Sequence, residues 1–168
     1  AEQVTNAIAT IGENISLRRS AILGVTKGVV ASYVHSAAAP GMGKIGVLIA
    51  LESEGDIGKL EQLGKQIAMH IAAQRPEAVN VEHVDKAKLD RERAVYREQA
   101  AASGKPAEVV EKMVEGRVRK YYEEVVLTEQ LFVIDNKTKI SQVVADAAKG
   151  IGAAVKITGF VRFQVGEA

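Results

Sequence analysis

Three kinds of residue in this sequence have the chemistry to bind phosphate, hold a metal or move protons. Pro40-Gly41-Met42-Gly43-Lys44 sets glycines beside a lysine, as a phosphate-cradling loop does. That loop needs a first glycine where Ala38 stands, and a Ser or Thr hydroxyl where Ile45 stands. Gly150-Ile151-Gly152 lacks the third glycine of a dinucleotide fingerprint, so both stretches read as turns. The histidines, His35, His70 and His83, do not pair at metal-ligand spacing. His70 lies inside an apolar helical run and reads as a boundary histidine with a hydrogen-bond partner rather than a catalytic base. His83 reads as solvated surface or a helix start. There is no Cys and no Gly-x-Ser-x-Gly elbow, and the carboxylates are interleaved with basic side chains as solvated charge usually is. Asn14-Ile15-Ser16 matches a glycosylation sequon, but the first ten residues do not read as a secretory signal. The inventory points to a binding protein rather than an enzyme, with no cofactor and no metal expected.

Composition narrows the partner. The 168 residues carry 22 basic and 21 acidic side chains, a net charge of +1, and so lack the basic surplus of a nucleic-acid reader. Hydrophobic residues make up 47% and aromatics only 4%, so the core must be built from Val, Ile, Leu and Ala. No stretch reaches the roughly 20 apolar residues that span a bilayer. Neither direct nucleic-acid binding nor a membrane is expected, and the lack of Cys suits a cytoplasmic location.

The elements that would position these residues follow from periodicity. Val4, Ile8 and Ile11 mark a helix over residues 2–11, stopped by Gly12. Residues 15–23, 29–35 and 45–51 read as three strands of an antiparallel meander, with SAAAPGMGK as the loop before the third. An amphipathic helix follows over residues 56–74, with Asp56 as N-cap and Ile57, Leu60, Leu63, Ile67, Ala68 and Ile71 on its stripe. Residues 83–125 form two charged helices broken at Ser103-Gly104-Lys105-Pro106, which reads as a protruding, coiled-coil-like hairpin. Leu131-Phe132-Val133-Ile134 reads as a short strand or extended segment, and residues 140–149 as a helix. A last strand over residues 154–165 places Val155, Ile157, Gly159, Val161, Phe163 and Val165 on one face, with Gly159 marking a bulge. The expected fold is α+β: antiparallel three-stranded sheets with packed helices, residues 1–168 as one domain, and a helical-hairpin insertion at about 83–125.

Five stretches, in order along the chain, resemble one family. They are IGENISLRR (11–19), SYVH with KIGVLIAL (32–35, 44–51), IAMHIAAQRPEAV (67–79), SGKPAEVVEKMVEGRVRKYYEEVVL (103–127) and ITGFVRFQVGE (157–167). Together they are similar to bacterial elongation factor Ts. The resemblance implies a guanine-nucleotide exchange factor that binds elongation factor Tu and promotes GDP release. It also implies antiparallel sheets with packed helices and a protruding hairpin. The family's N-terminal helical module and its Thr-Asp-Phe segment do not occur here, so a partial chain carrying part of the interface is expected.

By the same resemblance, Ile11, Gly12, His35 and Val133 lie toward elongation factor Tu. Each has an alternative: Ile11 as a helix anchor, Gly12 as a C-cap, Val133 as core. His35, at a strand end before a loop, is the strongest of the four. MVEGRVRK (113–120) reads as hairpin packing and is left out of the contacts. Two departures from the family pattern bear on these positions. The loop over residues 36–43 is longer than in many members, and Leu131 stands where relatives often have Pro. A homodimer, built through exposed sheet edges or the hairpin, is the competing partner.

Overall fold

The fold is α+β, and the computed structural model describes it for residues 2–167. In chain order the elements are α1 (Glu2–Ile11), β1 (Gly28–Ala39), β2 (Met42–Glu52), α2 (Ile57–Gln74), α3 (Lys86–Ala101), α4 (Ala107–Val125), α5 (Ile140–Ile151) and β3 (Lys156–Gln164). One antiparallel sheet runs in the order β1-β2-β3. Its third strand is therefore the C-terminal one, not the segment expected at 15–23. That segment forms no regular element and joins no ladder. The central strand β2 has only two edges, and β1 and β3 occupy both. Residues 15–23 instead pass over the far face of the sheet, where the Arg19 guanidinium carbon sits 4.8 Å from the centre of the Phe163 ring.

The expected loop over residues 36–43 is mostly strand. Pairing continues through Ala37↔Gly43 to Ala39↔Met42, and only Pro40-Gly41 turn the chain. Proline first and glycine second, with Gly41 at φ 73°, is what a two-residue type II turn requires. The small alanines carry no β signal, which is why the arms looked like loop. In β3, Ala50 pairs with Gly159 but Leu51 with Ile157, so Thr158 is an extra residue. This bulge, at the glycine that suggested it, inverts the alternation. Ile157 faces the core with Phe160, Arg162 and Gln164, while Val161 and Phe163 turn to the other side.

One face of the sheet is covered by α2. Ala31, Val47, Ile49 and Leu51 meet Leu60, Leu63, Ile67, Ala68 and Ile71, and α5 adds Ile140 and Ile151. Asp56 caps α2 as its sequence position suggested, its carboxylate accepting from the Lys59 N–H at 3.0 Å. Ile57 falls outside the stripe and is 51% exposed. Gly64 sits at the closest approach of helix and sheet. A Cβ there would lie 2.6 Å from the Ala31 Cβ, and neither stub can swing away. Gly64→Ala should therefore destabilise the fold by about 1–3 kcal/mol despite alanine's helix propensity, read from a denaturant midpoint. An unchanged midpoint would mean α2 can ride higher on the sheet without loss.

The hairpin α3–α4 has a small core of its own: Ala100, Val110, Val114 and Val118, flanked by Leu89, Tyr96, Met113 and Tyr122. Gly104, at φ 67°, turns the chain between the arms, and α3 begins at Lys86 behind an Asp85 cap. Its two roots lie side by side, since the Ala78 N–H donates to the Val125 carbonyl at 3.1 Å and the Leu127 N–H to that of Ala78 at 2.9 Å. The charge that looked solvated in sequence is so: Arg97 bridges Glu111 at 2.9 Å with both side chains 55% exposed.

Candidate docking site

The segment after the hairpin is built most tightly. Leu131-Phe132-Val133-Ile134 is not a strand; the chain turns back at once. Phe132 donates its N–H to the Thr138 carbonyl at 2.8 Å, and Asn136 donates to that of Phe132 at 2.8 Å. Asp135 closes the turn, its carboxylate accepting from the N–H groups of Lys137 and Thr138 at 2.9 and 3.1 Å and from the Thr138 hydroxyl at 2.6 Å. Those bonds hold the Asp135 carboxyl below the usual carboxylate range. Of the four apolar residues only Phe132 goes inward; Val133 is half-buried, and Leu131 and Ile134 are 50% and 52% exposed. An apolar knuckle results.

Leu131 meets Lys139 in a single antiparallel bridge whose hydrogen bonds use the N–H groups of Phe132 and Ile140. The Leu131 N–H is not among them, so a proline there would keep the same turn.

Beneath the knuckle lies His70, fully buried among the apolar residues of α2. The Val133 N–H donates to His70 Nδ1 at 3.1 Å. An amide can only donate, so the imidazole proton is on Nε2, which donates to Gln130 Oε1 at 2.9 Å. The Gln130 amide nitrogen then donates to the carbonyls of Glu124 and Gln74 at 2.6 and 3.4 Å. Four segments are thereby tied together: α2, the end of α4, the turn after it and the knuckle. Burial holds the His70 imidazole below its ordinary value, against a smaller upward pull from the Gln130 hydrogen bond. It is a hydrogen-bonded histidine, as its sequence setting suggested, but central rather than at the boundary.

His35 ends up exposed near the tip of the β1–β2 hairpin, sharing a 3.1 Å hydrogen bond with the Tyr33 hydroxyl. It is level with Ile45 and Gln164 across the sheet, one same-face row beyond Tyr33, Val47 and Arg162. Arg162 Nε donates to the Ala72 carbonyl at 3.3 Å, which fixes the C-terminal end of α2 at that row. Because His70 lies two residues before Ala72 and holds Val133, the His35 tip and the knuckle flank the same end of α2. Ile11 and Gly12 follow neither. Gly12, at φ 77°, caps α1 with its N–H on the Ile8 carbonyl at 2.8 Å. Ile11 is 61% exposed, and α1 buries none of its residues, so the helix-anchor alternative is not what Ile11 does here.

Among the described residues no group of three or more His, Asp or Glu could hold a metal, and no helix is long and apolar enough to cross a membrane. The family model described as elongation factor TS matches residues 1–167. The chain belongs to the elongation factor Ts family. It is 64% identical over 167 residues to elongation factor Ts of Rhodospirillum centenum, covering 99% of this chain and 54% of the relative. With elongation factor Ts of Rhodospirillum rubrum it is 62% identical, covering 98% and 53%. With that of Paramagnetospirillum magneticum it is again 62% identical, covering 99% and 54%. The chain thus spans about half the length of the curated elongation factor Ts relatives it matches. The sequence signal missed at this site was the Asp135-Asn136-Lys137-Thr138 turn, which is legible as turn chemistry. The Gln130 partner of His70, sixty residues away, left no signal in either neighbourhood.

Proposed function

We propose that this chain carries part of the surface by which an elongation factor Ts binds elongation factor Tu and promotes GDP release. The observation that carries the reading is the family match along residues 1–167. The exposed His35 tip and the Val133-Ile134 knuckle, both at the C-terminal end of α2, are the geometry in its favour. His35, Val133, Ile11 and Gly12 are the proposed contacts. Exchange of this kind changes no covalent bond: a partner that prefers the nucleotide-free GTPase must, by linkage, weaken GDP by the same factor. Thr-Asp-Phe, the family's wedge segment, does not occur in these 168 residues. Docking should therefore outweigh coupling.

The test is release of labelled GDP from elongation factor Tu with increasing amounts of this chain, alongside direct binding. Binding with weak or no acceleration is the expected result. Neither binding nor release would overturn the partner assignment. Self-association is a second reading, favoured by the outer edge of β1 (Gly28–Ala39), which pairs with no other strand among the described residues. Sedimentation at several concentrations distinguishes it, because a monomer that binds elongation factor Tu leaves no place for it.

A further inference from the structure

We infer that His70 is a positioning residue for docking: its Nδ1 atom sets where Val133 and Ile134 are presented. The inference rests on the proposed role of the knuckle as a contact surface. Its physical basis is the cost of the imidazole. His70 is flanked by Ile67 and Ile71 and fully buried, where an aliphatic side chain would pack with no desolvation penalty. Its return is two hydrogen bonds, one of them to the Val133 N–H at the base of the exposed knuckle. The other backbone bonds of the turn, among Phe132, Asp135, Asn136 and Thr138, close it on itself. The Val133 bond instead ties its apolar end to α2. The Phe132 ring, 6.0 Å from the imidazole, anchors the turn but does not fix the next peptide plane. If the acceptor is removed, the part-buried Val133 N–H turns toward another partner, carrying the Val133 and Ile134 side chains with it. A surface held in its bound geometry before docking binds more tightly than one that must be ordered on contact.

Two substitutions separate positioning from packing. In His70→Asn the side-chain oxygen takes the place of Nδ1 and still accepts from Val133, while the Gln130 bond is lost. In His70→Gln the amide nitrogen takes the place of Nε2 and still reaches Gln130, while the Val133 acceptor is lost. The readouts are amide hydrogen exchange at Val133 and affinity for nucleotide-free elongation factor Tu. We expect His70→Asn to stay within about threefold of the parent in both, and His70→Gln to speed Val133 exchange and weaken binding by about tenfold each. Equal effects of the two variants would overturn the inference, since both remove the ring and its packing. The parent chain supplies a check that needs no variant: a Val133 amide that exchanges as fast as a free loop amide would also overturn it. A Val133→Ala/Ile134→Ala double variant tests the docking role separately. If that variant binds like the parent, the knuckle is not the contact, and exchange at Val133 alone then decides what His70 does. If the double variant binds weakly and His70→Gln binds normally, the knuckle docks without help from His70.

Discussion

Replacing Gly28 with alanine should lower the stability of the fold by about 3 kcal/mol, a fall of about 6–12 °C in Tm for a chain of this size. Gly28 opens β1 opposite Glu52, at the root of the β1–β2 hairpin. Its φ is +145°, a region open in practice to glycine alone. A Cβ there would lie 2.0 Å from the Leu51 carbonyl oxygen and 2.9 Å from the Glu52 Cα. Both are backbone atoms of the central strand, so no side-chain rotation relieves the clash. The strand ends must separate, which also loosens the neighbouring bond from the Ser53 N–H to the Lys27 carbonyl. Gly46→Ala is the matched control in β2, where a new Cβ meets nothing within 4 Å; its effect should stay within about 0.5 kcal/mol. Thermal unfolding followed by circular dichroism checks both. Equal midpoints for the two variants would show that the hairpin root accommodates a side chain, contrary to its geometry.

What the sequence disclosed depended on whether a signal was local. The stripes of α2 and of α4 needed only the helical repeat, and the Asp56 cap and the Ser103-Gly104-Lys105-Pro106 break needed only neighbouring residues. Strand pairing is not local. Residues 15–23 have strand composition, but what makes a strand is a free edge, and β3, more than a hundred residues later, took the one beside β2. The alternation of β3 holds from Gly159 onward and breaks between Ile157 and Gly159, because the extra Thr158 exchanges the faces. The knuckle is hidden for a different reason: four apolar residues in a row satisfy a strand pattern, and the Asp135 turn that folds them back lies just beyond them. Of the contacts proposed from resemblance, His35 and Val133 converge on one end of α2. The exposed placement of Ile11 came from neither periodicity nor composition, since its spacing fits an apolar stripe, yet no residue of α1 is fully buried.

The pH dependence of stability should identify His70 by its sign. Its ordinary pKa, and so its value in the unfolded chain, is 6.5, and burial places the native value lower. Between those two values the unfolded chain binds a proton that the native chain refuses. Stability is therefore fully present above pH 6.5 and declines as pH falls below it, by up to about 1.4 kcal/mol per pH unit, until the native imidazole also protonates. His70→Leu fills a similar volume but leaves the Val133 N–H and Gln130 Oε1 without their partner. It should cost about 2–4 kcal/mol at pH 8, about 1–3 kcal/mol for the buried Gln130 oxygen and about 1 kcal/mol for the part-buried Val133 N–H. The leucine cannot titrate, so the gap between the two proteins should narrow as the pH is lowered from 7 toward 5. Urea unfolding of both proteins across that range measures it. A gap that stays constant would mean the imidazole takes up its proton as readily in the native chain as in the unfolded one, which the bond from the Val133 N–H opposes, because a protonated Nδ1 would face that donor with another. Protonation and knuckle release are thus one event. At a pH where His70 holds two protons, the Val133 peptide loses its acceptor and the proposed docking surface loses the side chain that shapes it.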